Sequence, residues 1–149
     1  MAKRAALSAC LAGRNCRYNG ELKASPEVVE KLEEEGYEIT LFCPEDSCFG
    51  TPREAMDLVL TDEGVKALTK FSKEDRSAPI AEYAAKFFDE NPDIELFVGK
   101  ARSPSCGVRT ALLYDEAGNL ISEKEAGIMA AEAGARNIEA VDDEDLSLR

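Results

Sequence analysis

Residues 93–110, "DIELFVGKARSPSCGVRT", decide how this chain folds. Residues 94–99 are an apolar run of strand length, and they end in a loop carrying two serines, a cysteine and three cations. The same pattern occurs twice earlier. "AALSAC" (5–10) runs into "LAGRNCRYNG" (11–20), and "EITLFC" (38–43) runs into "PEDSCFGTPR" (44–53). Each apolar run leads into a loop that bears a cysteine. Thiols far apart in sequence would meet if the three runs lay side by side and parallel.

The segments between these runs read as helices. Residues 4–9 suit a buried first strand. In "SPEVVEKLEEEG" (25–36), Ser25 suits a helix cap, Pro26 the first turn and Gly36 the end, with Val28, Val29 and Leu32 as a narrow apolar stripe. Residues 37–42 alternate as a strand ending at Cys43. A second helix starts at Ser77, carries Ile80, Ala84, Phe87 and Phe88 at helical spacing, and stops at Asn91–Pro92. "VRTALLYDEAGNLIS" (108–122) reads as a β-hairpin with its turn at 115–119. "EAGIMAAEAGARN" (125–137) reads as a last helix, "IEAV" (138–141) as a final strand, and the acidic tail as exposed. Between 50 and 76 the pattern is less decisive. "AMDLVL" suits a short strand or a helical turn, and "TDEGVKALTKF" suits a helix.

Strand–helix–strand alternation predicts an α/β chain, one domain over residues 1–149, built on a mainly parallel sheet flanked by helices. The expected architecture is a Rossmann-like three-layer fold with a β-hairpin after the third cysteine loop. Ligands of such sheets bind beyond the carboxyl ends of the strands. Cys10, Cys43 and Cys106 all follow strands and would share that edge.

Composition narrows the chemistry. No apolar run reaches the roughly 20 residues of a membrane helix, and the basic, mildly apolar N-terminus is interrupted by Ser8 and Arg14. A cytoplasmic chain without membrane partners is expected. An odd count of five cysteines argues against a disulfide framework. Histidine is absent, which removes imidazole as base or ligand. The formal net charge is −12, a poor match for a large nucleic acid. The windows 10–20, 43–53 and 100–109 hold six cations and two acids, +4 together, which leaves −16 for the rest of the chain. A cationic site on an acidic body suits a small anion.

Converging thiols can hold zinc, an iron–sulfur cluster or a redox couple. The close C-x2–4-C pairs typical of structural zinc do not recur as a matched set, and C-x-x-C is missing. Thiolates without imidazole favour iron–sulfur. Three ligating loops would leave one iron of a cubane open, a Lewis acid for a soft atom such as sulfur. Cys16 and Cys48 lie within loops and remain ligand, reactive thiol or bystander. With no histidine, Glu45, two residues beyond Cys43, is the leading general base. Ser103 and Ser105 either satisfy loop backbone or orient a water. Arg17 and Arg102 either neutralise a cluster or touch substrate.

At these residues the chain resembles a known family. "SACLAGRNCRYNG", "CPE…TPR" and "KARSPSCG", in that order, are similar to the motifs of the thiouracil desulfidase (TudS) family. Two departures are Asn19, where the family usually has aspartate, and "DSCFG", where it is often glycine-rich. The resemblance implies an α/β fold with a [4Fe-4S] cluster on three cysteines and a non-redox removal of sulfur from thiolated uracil compounds. Carried onto this chain, it implies Cys10, Cys43 and Cys106 as cluster ligands and Glu45 and Ser103 as catalytic. Glu45 would take a proton from a water that attacks the thiocarbonyl carbon, and uracil and hydrogen sulfide would leave. Ser105, Arg17, Arg53 and Arg102 are the expected substrate-binding residues. The expected substrate is 4-thiouracil or thiouridine monophosphate, with an arginine on the phosphate. Two rivals remain on the sequence: a cluster- or zinc-holding sensor without turnover, and a thiol enzyme that uses Cys16 or Cys48 to carry sulfur.

Overall fold

A computed structural model describes residues 3–13 and 25–146. The elements run β1 (Lys3–Ser8), a 3-10 turn (Ala9–Ala12), α1 (Pro26–Glu34), β2 (Tyr37–Phe42), α2 (Pro44–Phe49), β3 (Met56–Thr61), β4 (Gly64–Thr69) and α3 (Ser77–Glu90). They continue with β5 (Ile94–Gly99), β6 (Ala111–Tyr114), β7 (Leu120–Glu125), α4 (Ile128–Ala135), β8 (Glu139–Asp142) and α5 (Asp143–Leu146).

The first sheet has the order β2-β1-β5-β8 and is parallel throughout. Period-two alternation along β1 sends its small apolar residues to both faces. Ala5 and Leu7 pack with Leu96 and Val98 of β5, Val28 and Leu32 of α1, and Leu146 of α5. Ala6 packs on the other side with Phe97, with Ala84 and Phe88 of α3, and with Met129 and Ala133 of α4. Phe42 stacks on Phe97 there, with ring centroids 4.9 Å apart. Helices thus cover both faces, the expected three-layer arrangement. β2, β1 and β5 are neighbours, so the segments that follow them emerge at one sheet edge.

A second, mixed sheet, order β4-β3-β6-β7, stands where the sequence was least decisive. The helical reading of residues 61–71 is corrected: Gly64–Thr69 is a strand antiparallel to β3. Gly64, at φ 104°, makes the turn that a side chain would strain. Ala67 then faces Leu58 across the hairpin, and both are buried with Ile80 and Leu113. This tertiary contact overrides a sequence pattern that fits either period. The expected β6–β7 hairpin forms and joins this sheet through parallel pairing of β6 with β3.

Two further expectations are corrected. Residues 44–49 form a short helix rather than a loop, with Cys43 at its cap: Asp46 N–H donates to Cys43 Sγ at 3.4 Å. The acidic tail is not simply exposed, since Asp142, Asp143 and Leu146 are buried. Ser25 precedes α1 as expected but makes no side-chain cap; its N–H donates to Leu11 O at 2.8 Å. No helix among the described residues is long and apolar enough to cross a membrane.

Candidate active site

The carboxyl edge of the first sheet opens into a cavity of about 300 Å³. Cys10, Cys43 and Cys106 all line it, together with Glu45, Arg53, Lys100, Arg102, Ser103 and Ser105. Cys10 comes from the 3-10 turn after β1, Cys43 from the cap of α2 after β2, and Cys106 from the loop after β5. The parallel order is what gathers them. Arg17 and Cys16 lie outside the described residues.

The third loop is held tightly from three sides. Gly127 N–H donates to Gly107 O at 2.7 Å, Ile128 N–H to Pro104 O at 3.1 Å and Met129 N–H to Ser105 O at 2.7 Å. The first turn of α4 thereby satisfies its own free N–H groups on the loop. A side chain on Gly127 would place its Cβ 2.5 Å from Ser105 C, and one on Gly99 would lie 1.9 Å from Cys106 O. Buried Asp142 accepts from Val108 N–H at 2.8 Å, and Asp143 accepts from Ala101 N–H at 2.8 Å. Sequence reasoning missed both aspartates. Their one signal was position, directly after the last apolar run and hence at the same sheet edge.

Glu45 sits in the first turn of α2 and is reached from two sides. Ser105 Oγ–H donates to Glu45 Oε2 at 2.6 Å, and Arg53 Nε lies 3.5 Å from Glu45 Oε1. The Arg53 side chain is only 8% exposed and is anchored by Nη1 donating to Gly50 O and Thr51 Oγ1, each at 3.0 Å. Its Nε is buried and makes no hydrogen bond, since the 3.5 Å approach to Glu45 is an ion pair and not a directed bond. Glu45 Oε1 therefore keeps a lone pair for another donor.

The two serines differ in placement. Ser105 bridges to Glu45 and also lies 3.3 Å from Cys106 Sγ. Ser103 Oγ accepts from Cys106 N–H at 3.1 Å and Ser105 N–H at 3.3 Å, and sits 3.2 Å from Ser105 Oγ. Ser103 orders the loop; Ser105 touches the carboxylate. Arg102 lies at the cavity rim, with its guanidinium forked onto Glu144 at 3.0 and 2.8 Å. That pairing raises its pKa above the ordinary arginine value.

Burial pushes the Cys106 thiol well above the ordinary thiol range; Ser105 opposes this, while Glu45, Cys43 and Cys10 push further upward. A cationic centre beside Cys106 would oppose that rise. No three His, Cys, Asp or Glu side chains among the described residues close on a point that could hold a single metal ion. The thiols instead ring a cavity, and an all-thiol set without imidazole matches the donors of an iron–sulfur cluster. Cys48 is exposed, with Sγ–H donating to Pro79 O at 3.6 Å. Partial burial and then Cys43 raise its pKa, which holds it in the less nucleophilic thiol form.

The family model described as 2-thiouracil desulfurase matches residues 5–145. The uncharacterized protein YbbK of Bacillus subtilis (strain 168) is 34% identical over 109 residues, covering 68% of this chain and 71% of that protein. Among solved structures, the [4Fe-4S]-dependent thiouracil desulfidase TudS is similar with a TM-score of 0.76 and 26% identity, over 98% of this chain and 96% of that one. With three thiols on one sheet edge and a family match over nearly its whole length, the chain belongs to the 2-thiouracil desulfurase family.

Proposed function

We propose that this chain hydrolyses the carbon–sulfur bond of thiolated uracil compounds, giving a uracil product and hydrogen sulfide without net redox change. The observation that carries this reading is the 2.6 Å bond from Ser105 to Glu45 inside a cavity lined by three thiols. Cys10, Cys43 and Cys106 would hold a [4Fe-4S] cluster. When bound, such a cluster with one iron free of protein ligands supplies a soft Lewis acid for the thiocarbonyl sulfur.

The chain's own residues do the rest. Glu45 accepts a proton from a water, whose oxygen adds to the ring carbon. Ser105 fixes the carboxylate through Oε2, which leaves Oε1 for the water. Arg53 lies behind Oε1, with Nε 3.5 Å away, and holds that side of the carboxylate in place. Ser103 holds the Ser105 and Cys106 amides, so it keeps base and thiol in register. The proton held on Glu45 then passes to the sulfur, the carbon–sulfur bond breaks to release hydrosulfide, and the added hydroxyl gives its remaining proton to that hydrosulfide, so the ring keeps the water's oxygen as a carbonyl. The balance is thiouracil plus water giving uracil plus hydrogen sulfide, with no electron donor.

The substrate is a free thiolated base or thiouridine monophosphate. For the nucleotide, Lys100 and Arg102 at the rim are the cations in place to meet a phosphate, Arg102 by exchanging Glu144. Arg53 is committed to Glu45 in this reading, and Arg17 keeps its expected role as a further cation. The test is sulfide release by anaerobically reconstituted protein from 4-thiouracil, 4-thiouridine and its monophosphate. Turnover of at least one with uracil-type product supports the reading. Iron-loaded protein that releases no sulfide from any of the three overturns it.

A further inference from the structure

Ser8 is the last residue of β1 and lines the thiol cavity, where it is only 4% exposed. Its hydroxyl lies 3.4 Å from Cys10 Sγ, the one hydrogen-bond partner of this side chain among the described residues.

Position alone would give that hydroxyl another task. Ser8 stands at the capping position of the 3-10 turn Ala9–Ala12, where a serine ordinarily accepts from a free N–H of the turn. No such cap forms. The hydroxyl turns to the thiol instead, and in a buried setting that contact offsets its loss of water. Apolar packing does not call for a hydroxyl either. By alternation Ser8 shares a face of β1 with Ala6, which packs with Phe42, Phe97 and Met129. An alanine would suit that surface.

Between a free hydroxyl and a free thiol, either atom can donate. A cysteine that holds iron is a thiolate, an acceptor alone. Ser8 O–H then donates to Cys10 Sγ, and the negative charge strengthens the bond. The other two thiols are held differently. Cys43 Sγ accepts from Asp46 N–H at 3.4 Å. Ser105, 3.3 Å from Cys106 Sγ, divides its hydroxyl between that sulfur and Glu45 Oε2 at 2.6 Å. Ser8 faces no such competing acceptor among the described residues.

We propose that Ser8 is a positioning residue of the thiol site: its hydroxyl holds Cys10 Sγ and draws negative charge from it. The inference rests on the cluster-binding part of the proposed function. A sulfur that shares its charge with a proton gives less of it to iron. The cluster is then easier to reduce, and its iron is a stronger acceptor for a thiocarbonyl sulfur.

The full chain, loaded anaerobically, tests this through Ser8→Ala, Ser8→Thr and Ser8→Val. Redox titration should place Ser8→Ala at a lower midpoint potential than wild type, with the same iron content. The shift of the iron–cysteine stretching bands between H₂O and D₂O, read by resonance Raman, should shrink in the same variant. Ser8→Thr keeps the hydroxyl, and Ser8→Val has its shape without it. The same two differences should separate that pair, even where Ser8→Ala loads poorly. Sulfide release from 4-thiouracil should fall about tenfold in Ser8→Ala, the lower end of what the outer partner of a metal ligand costs. Potential and bands are read without substrate, so they decide the proposal even where no sulfide is released. Wild-type potential and bands in Ser8→Ala overturn it, as does a Ser8→Val indistinguishable from Ser8→Thr. Wild-type protein that takes up no iron–sulfur cluster overturns it together with the cluster-binding reading.

Discussion

Ser105 Oγ–H donates to Glu45 Oε2 at 2.6 Å, across a sequence separation of 60 residues. That bond joins the loop after β5 to the helix after β2, with a thiol ligand candidate beside each partner. It gives the carboxylate one committed oxygen and one available oxygen, and it places Ser105, not Ser103, against the carboxylate.

Glu45→Gln should retain its iron and lose activity by about 10²–10⁴-fold, because an amide keeps the shape but accepts no proton. Ser105→Ala should lose activity by a smaller factor with iron content intact. Ser103→Ala should act mainly on iron retention, since Ser103 Oγ holds the Cys106 and Ser105 N–H groups. Iron analysis beside sulfide-release rates checks all three. Near wild-type turnover in Glu45→Gln would leave Glu45 a structural carboxylate.

Anaerobically loaded protein should hold about four irons per chain. Cys10→Ser, Cys43→Ser and Cys106→Ser should each lose most of that iron, because a serine oxygen is a poorer donor to soft iron. Cys48→Ser should keep it, since the Cys48 thiol turns to Pro79 O. Iron retained in Cys43→Ser and lost in Cys48→Ser would reassign the ligand set.

Two glycines at opposite ends of α4 should respond with opposite signs. Gly127→Ala drives a methyl into Ser105 and Cys106 backbone, and thermal or denaturant unfolding should show a loss of more than about 2 kcal/mol. Gly134, within α4, has nothing within 4 Å of an added Cβ. Gly134→Ala should gain about 0.5–1 kcal/mol through helix propensity. Equal effects would mean that the loop is not packed on α4 as described.

Glu54 accepts from Phe71 N–H at 2.6 Å, from Ser72 N–H at 2.8 Å and from Ser72 Oγ–H at 2.6 Å. The Ser72 hydroxyl first, then the two amides, hold its pKa below the ordinary glutamate value. A depressed folded pKa means that this clasp is in full effect above the unfolded pKa and is lost as pH falls through the folded value. Amide shifts of Phe71 and Ser72, followed by NMR, should titrate with a midpoint below the usual glutamate range and stop titrating in Glu54→Gln. A midpoint at or above that range would contradict the clasp.

Much of this was readable in the chain because its strands are short and sharply punctuated. Residues 37–42 and 94–99 became strands at those bounds, the first through its alternation and the second as an apolar run. The second sheet was harder. Val65, Ala67 and Leu68 fit either period, and only the partner Leu58 makes Ala67 a strand residue. The convergence of Cys10, Cys43 and Cys106 followed from parallel order, a topological rule. The choice of Ser105 over Ser103 as the partner of Glu45 depends on how two loops meet, which no local pattern encodes. Asp142 and Asp143 looked like a solvated tail, and they are buried because loop N–H groups need acceptors there.

The central claim is that water, activated at Glu45, replaces sulfur without any electron donor. A single turnover of 4-thiouracil in H₂¹⁸O, by anaerobically reconstituted protein with no reductant, tests it most directly. The account predicts uracil carrying one heavy oxygen, with an equal amount of sulfide released. Unlabelled uracil, or sulfide that appears only after a reductant is added, would contradict it.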